Sequence, residues 1–340
     1  MTSRISLQMD MIVAEGLTKF YKRFLAVDHV SFKVEEGQIF GFLGPNGAGK
    51  TTTVKMLNTL VKISEGRGFI NGFDVARQKK EVRRSIGLVP QELTLDREMT
   101  GKQVLKIQAK LYDVPDGVAK AKMDELLKLA GLQEYANREI STYSGGMQKR
   151  LELIMGLVHE PKVLFLDEPT VGLDAQTRTL IWEYIRKFSR DFHTTIFLTT
   201  HYLEEADVLC DRVAIINDGK IGVEGSPKQL KDRLGVDEIE IRLGKVYESR
   251  KLENILETVS GVVAVHVEQD VCRIRVINSE RSLAGIITGL AKNGIDIITV
   301  NAKRATLTQV FIKQLATGND HSMAEETVSR PAMPSESRKP

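Results

Sequence analysis

The residues with the plainest chemical purpose are Gly44-Pro45-Asn46-Gly47-Ala48-Gly49-Lys50-Thr51-Thr52. They follow an apolar run, Ile39 to Leu43, and precede Val54, Met56, Leu57 and Leu60 at helical spacing. Strand, glycine-rich loop and helix in that order make G-x-x-x-x-G-K-T a phosphate-binding pattern. The glycines let successive backbone N–H groups converge on phosphate oxygens. The helix N-terminus adds its dipole, and Lys50 adds a full charge directed at the β- and γ-phosphates. Thr51 offers a hydroxyl to Mg²⁺. A merely mobile turn has no need of Lys-Thr at a helix start.

Further along, Val163 to Leu166 is an apolar strand that ends in Asp167 and Glu168. Ligands of α/β sheets sit beyond the carboxyl ends of the strands, so this pair is expected beside the phosphate loop. Asp167 is then placed to hold Mg²⁺ through water, and Glu168 to polarise a water for in-line displacement. Without Lys50 and Thr51 upstream, the same two acids would read equally well as caps for the segment starting Pro169-Thr170. A third segment, Tyr143-Ser144-Gly145-Gly146-Met147-Gln148, puts two glycines behind a serine at a helix start. That arrangement permits close backbone approach to an anion, although a serine N-cap alone is common.

With these segments in this order, the chain resembles the nucleotide-binding subunit of an ABC transporter over roughly residues 11 to 230. The usual family form has Leu before the serine and Gln after the glycines; here Tyr143 and Met147 stand there, and Gln148 is displaced by one position. The resemblance implies that Ser144, Gly145 and Gly146 bind the γ-phosphate of an ATP held by the opposite subunit. It implies an aromatic that stacks on adenine at Tyr21, with Phe20 as the neighbouring alternative. It implies that Gln91 touches Mg²⁺ and the attacking water and reports to a transmembrane partner. Asp174 would meet the opposing phosphate loop across a homodimer, and His201 would contact the γ-phosphate. ATP and Mg²⁺ are the implied ligands, and ATP hydrolysis the implied activity.

These stations need elements to carry them. Strands are predicted at Ile12-Val13-Ala14, Val30 to Val34, Phe69-Ile70, Ile86 to Val89, Thr195 to Leu198, Arg212 to Ile216 and Lys220 to Val223. Apolar strands alternating with helices predict an α/β fold with a mainly parallel sheet buried on both faces. An antiparallel β subdomain and a helical subdomain at about residues 92–160 would complete an ATPase domain over residues 11–235. Residues 1–10 read as a leader. From residue 236 the texture changes to βαββαβ, the order of a small α+β ferredoxin-like domain over residues 236–316, closed by an amphipathic helix from Thr306 to Leu315. Residues 317–340, with Pro331, Pro334 and Pro340 among Ser, Glu and Arg, are expected to be disordered. This second domain, with Thr306 to Phe311, resembles that of daunorubicin-resistance-type exporter ATPases, which work with separately encoded permeases at the cytoplasmic face of the membrane.

Composition sets the outer bounds. A chain of 340 residues has room for about two domains. The formal net charge of +3 is too small to argue for nucleic acid, and no apolar run approaches the roughly 20 residues of a membrane helix, so no direct membrane insertion is expected. The first ten residues lack the apolar core of a signal peptide, and Cys210 and Cys272 lack metal-like spacing. The alternative reading is a soluble ABC ATPase of cytoplasmic assembly or translation. The segment from Thr51 to Asp167 has no sustained heptad run, which argues against the coiled coil of repair ATPases. An unrelated phosphate-loop kinase or GTPase would leave Ser144, Gly145, Gly146 and His201 unexplained.

Overall fold

The computed structural model describes residues 9–92, 94–234, 237–303, 306–312 and 314. β1 (Asp10–Tyr21) and β2 (Phe24–Glu35) form a long antiparallel hairpin that turns at Lys22-Arg23. β3 (Ile39–Leu43) is buried at every position and feeds the glycine loop and α1 (Lys50–Leu57). β4 (Glu65–Ile70) and β5 (Phe73–Asp74) complete an antiparallel sheet in the order β2-β1-β4-β5. After α2 (Lys79–Ser85) and β6 (Ile86–Val89) come three helices, α3 (Gly101–Leu111), α4 (Asp116–Leu129) and α5 (Gly145–Met155). The chain then alternates β7 (Val163–Asp167), α6 (Ala175–Phe192), β8 (Thr195–Thr200), α7 (Leu203–Leu209), β9 (Arg212–Asn217) and β10 (Lys220–Gly225). The main sheet runs β10-β9-β3-β8-β7-β6, parallel except for β10.

The two sheets share one aromatic core. Phe32 of β2 meets Phe40 and Phe42 of β3 and Phe197 of β8, with ring centroids 5.4 to 5.6 Å apart. Phe165 of β7 joins through Phe197 at 5.4 Å. Rings at these separations bury large apolar areas and fix the spacing of the layers. The strands that carry the loop, Asp167 and Thr199 are thereby locked in one block.

The chain divides into two compact units between Pro227 and Lys228. That lies ahead of the boundary read from the sequence, whose residues 235 and 236 are outside the described set. α8 (Pro227–Leu234) leads into the second unit. There β11 (Asp237–Leu243), α9 (Ser249–Glu257), β12 (Val262–Glu268), β13 (Val271–Val276), α10 (Ser279–Lys292) and β14 (Ile297–Lys303) follow the expected βαββαβ order. The sheet runs β12-β13-β11-β14, antiparallel throughout. In β11 the alternation decides the facing: Ile239, Ile241 and Leu243 are buried, while Glu240 and Arg242 lie between them.

Two expectations need amendment, and a third falls partly outside the described residues. α1 stops at Leu57, and Leu60 is an exposed residue of the following turn, because Thr59 takes a φ of 61° that breaks the helical path. Asp10, read as leader, already belongs to β1, and the Met9 carbonyl accepts a hydrogen bond from Glu36 N–H. Residues 307–312 are helical, whereas Leu315 and residues 317–340 lie outside the described residues.

One packing detail behind the helical segment has a pH signature. The His159 ring stacks on Tyr112 with centroids 3.5 Å apart, and its Nε2 donates to the Ile86 carbonyl at 2.8 Å. Burial holds its pKa below the ordinary 6.5, against the opposing pull of that hydrogen bond. The unfolded chain therefore takes up a proton that the folded chain refuses, and stability falls as pH drops below about 6.5. Urea unfolding at pH 7.5 and 5.5 is expected to show a larger loss for the wild type than for His159→Phe, which keeps a stacking ring and does not titrate.

Candidate functional site

The phosphate loop is shaped by what its glycines allow. At Gly44 a Cβ would lie 2.3 Å from the Ile216 carbonyl oxygen, and at Gly49 one would lie 2.7 Å from that of Ala26. The loop is thus pressed between β9 and β2 as closely as bare backbone permits. Gly47 and Gly49 have φ of 83° and 103°, in the region that favours glycine. Ala48 is buried at the base of the loop, and its N–H reaches the Pro45 carbonyl at 3.3 Å. Gly49 is the N-cap of α1 and has no side-chain oxygen to give. Lys50, Thr51 and Thr52 therefore open the helix without a side-chain cap, and such an N-terminus attracts anions.

The Lys50 ammonium, only 5% exposed, has three acceptors for its three hydrogens. They are the Gly44 carbonyl at 2.9 Å, the Pro45 carbonyl at 3.0 Å and Glu168 Oε1 at 3.2 Å. Glu168 stands just past the tip of β7 with a φ of 47°, a conformation that costs a non-glycine residue about 1–2 kcal/mol. Its surroundings hold it there. Its N–H donates to both the carbonyl and Oγ1 of Thr199, at 3.1 and 3.0 Å, and its Oε2 lies 3.2 Å from His201 Nδ1.

Asp167 lies directly across from Thr199 in the β7–β8 ladder. The Thr199 hydroxyl donates to Asp167 Oδ1 at 2.5 Å, and the Thr51 hydroxyl reaches the same oxygen at 3.3 Å. Tyr21, Asn46, Gly47, Gly49, Lys50, Thr51, Thr52, Gln91 and Glu168 all line one cleft. Of the two neighbouring aromatics, Tyr21 lines this cleft and Phe20 does not. An uncapped helix N-terminus, a buried ammonium, a threonine hydroxyl and two carboxylates form a donor set that fits a nucleotide with a hard divalent cation.

Ser144, Gly145, Gly146 and Asp174 do not line that cleft. They lie together elsewhere. Ser144 caps α5, its Oγ accepting from Met147 N–H at 3.3 Å. Asp174 caps α6, accepting from Thr177 N–H at 2.9 Å and from its hydroxyl at 2.6 Å. A Cβ on Gly146 would come within 2.7 Å of Thr177 Cγ2, so the two helix starts adjoin. The unusual residues of this turn have structural work: Tyr143 donates its hydroxyl to the Tyr135 carbonyl at 2.7 Å. Gln148, displaced by one position, donates Nε2 to the carbonyls of Tyr143 and Ile140 at 3.2 and 3.3 Å, bracing the turn from within.

Two residues of the site escape a reading of motifs. Phe24, paired with Tyr21 across the hairpin, also lines the cleft and is 65% exposed. Thr199 ties Asp167 to Glu168, and its signal in the sequence is a hydroxyl at the carboxyl end of an apolar strand, just ahead of His201.

This fold and site define a phosphate-loop ATPase cassette. The ABC transporter family matches residues 27–171, and the C-terminal domain of DrrA1-3-like ATP-binding proteins matches residues 225–315. A daunorubicin resistance ATP-binding protein of Streptomyces coeruleorubidus is 37% identical over 92% of this chain and 98% of its own. A Nod factor export ATP-binding protein of Burkholderia pseudomallei is 42% identical over 67% of this chain and 75% of its own. Among solved structures, a dimeric post-hydrolysis state of an ATP-binding cassette bound to ADP and Pi has a TM-score of 0.56 and 26% identity, covering 64% of this chain and 98% of that one. The chain belongs to the ATP-binding, ATP-hydrolysing subunits of exporter-type ABC transporters, in the daunorubicin-resistance group.

Thr199→Val keeps the shape of the strand tip and removes the hydroxyl shared by Asp167 and Glu168. Steady-state hydrolysis is expected to fall roughly ten- to a hundredfold, with nucleotide affinity near that of the wild type, because the hydroxyl positions the two acids and leaves Tyr21, the glycine loop and Lys50 in place.

Proposed function

We propose that two copies of this chain enclose two equivalent ATP molecules, each held by the phosphate loop of one subunit and completed by Ser144, Gly145 and Gly146 of the other. The observation that carries this reading is the separation of the two surfaces. Lys50 and Glu168 share a cleft, whereas Ser144 and Asp174 meet at neighbouring helix starts outside it. A helix N-terminus opened by two glycines suits an anion brought by another chain. Asp174, beside it, would face the opposing phosphate loop.

Within each site Tyr21 stacks on the base, and the N–H groups from Gly47 to Thr52 and the Lys50 ammonium bind the phosphates. Thr51, Asp167 through water, and Gln91 would hold Mg²⁺, which would neutralise negative charge on the phosphates. Glu168 orients the attacking water and accepts its proton, and His201, 3.2 Å from Glu168 Oε2, steadies that carboxylate and contacts the γ-phosphate. Closure of the dimer on ATP and its reopening after hydrolysis form the two states that can drive a partner.

That partner is a separately encoded permease, and the protein works at the cytoplasmic face of the membrane. Two features support this: relatives named for drug resistance and for export, and the lack, among the described residues, of any helix long and apolar enough to cross a bilayer. The division into an ATPase domain and a C-terminal domain, read from the sequence at 11–235 and 236–316 and parting in the structure between Pro227 and Lys228, belongs to the same proposal.

Glu168→Gln is expected to bind ATP, to hydrolyse it at least about a hundredfold more slowly, and to elute as an ATP-bound dimer on size exclusion. Adding Ser144→Arg should return it to the monomer while leaving ATP bound. A Glu168→Gln protein that turns over normally and stays monomeric would overturn the mechanism. A detergent pull-down that recovers ribosomes and no integral membrane protein would overturn the permease.

A further inference from the structure

α5 carries two charged side chains on its buried side, one turn apart. Lys149 and Glu152 are 5% and 4% exposed, among Leu151, Leu153 and Ile154, and their Nζ and Oε2 lie 3.2 Å apart. Both also reach off the helix to a single short segment. Lys149 Nζ donates to the Pro90 carbonyl at 3.4 Å, and Glu152 Oε1 accepts the Thr94 N–H at 3.0 Å. Pro90 immediately precedes Gln91, and Thr94 follows shortly after it. One ion pair thus grips the backbone on both sides of Gln91.

A buried ion pair is a poor choice for stability alone, since well-packed apolar residues of similar volume commonly serve as well or better. Burial raises the Glu152 pKa, against the pull of Lys149 and the Thr94 N–H, so the carboxylate is kept where water would solvate it better. What apolar residues cannot do is hold a carbonyl and an N–H of a loop in fixed directions. The same helix is capped by Ser144. The Ser144 cap and the two groups that hold the flanks of Gln91 thus belong to one continuous helix of eleven residues.

We propose that Lys149 and Glu152 are positioning residues for Gln91: a clamp on α5 that sets the Gln91 loop against the cleft and couples it to the Ser144 turn. The proposal rests on the catalytic reading of Gln91 given above, and its test separates the two. The pair is removed together, as Lys149→Met with Glu152→Leu, so that no uncompensated charge stays buried. In the full-length protein this double variant is expected to lose turnover roughly tenfold or more, with KM for ATP within about twofold of wild type. Hydrogen exchange of the Thr94 amide should rise in parallel. Lys149→Met with Glu152→Gln, which leaves no buried charge unpaired and retains an acceptor for the Thr94 N–H, should keep Thr94 exchange slow and lose less turnover than the fully apolar pair. Combined with Gln91→Ala, the clamp variant should be no slower than Gln91→Ala alone, because both changes act through one group.

Unchanged exchange at Thr94 in the clamp variant overturns the clamp. So does unchanged turnover in that variant when Gln91→Ala is impaired, or a combined effect equal to the product of the two. If Gln91→Ala turns over like wild type while the clamp variant frees the loop, the catalytic reading of Gln91 fails and the clamp stands.

Discussion

The site depends on one buried ion pair. Lys50 comes from the start of α1 and Glu168 from the end of β7, and their side chains are 4% and 7% exposed. Charges so far from water must be paired and hydrogen-bonded or they are strongly destabilising. Each partner here is supplied with neighbours: two loop carbonyls for the Lys50 ammonium, and His201 for the Glu168 carboxylate, whose backbone N–H is held by Thr199. The constraint runs in both directions. The glycine loop must curl to present its carbonyls to the ammonium, and the tips of β7 and β8 must stay in register to present Thr199 to both acids.

Helix starts divide the labour on the rest of this unit. α1 begins at a glycine and leaves its first N–H groups uncapped, as suits a strongly charged ligand. α5 and α6 begin at Ser144 and Asp174, whose own side chains accept from the third residue of the helix. Those two caps adjoin at Gly146 and Thr177, where a Cβ on residue 146 would have to displace the Thr177 side chain. The serine and aspartate are thus held by local hydrogen bonds and do not line the cleft.

Much of this was legible in order and spacing. A glycine loop between an apolar strand and a helix, two acids at a strand end, and a βαββαβ alternation are local patterns, and local patterns survive being read without coordinates. Leu60 was misread because its spacing continues the α1 stripe, while the left-handed turn at Thr59 that ends the helix leaves no mark in residue type. Phe24 and Thr199 were not singled out because each matters through a partner distant in sequence or across a hairpin: Asp167 is 32 residues from Thr199. The displaced Gln148 looked like a departure from a motif, yet its amide braces the very turn it seemed to disturb.

The sequence by itself determined the chemistry: which groups can bind phosphate, which can take a proton from water, and in what order the elements that carry them occur. Residue type and short spacing suffice for that, because backbone conformation at a glycine loop and at a strand end is decided within a few residues. Only the tertiary structure decided which groups share a cleft and which do not. It put Tyr21 in the cleft and left Phe20 out of its lining, drew the hydroxyls of Thr51 and Thr199 onto one oxygen of Asp167, kept Ser144 and Asp174 out of the cleft that Lys50 lines, and joined Lys149 and Glu152 to the flanks of Gln91. Those outcomes follow from strand register and helix packing across long stretches of chain, and no local pattern encodes them.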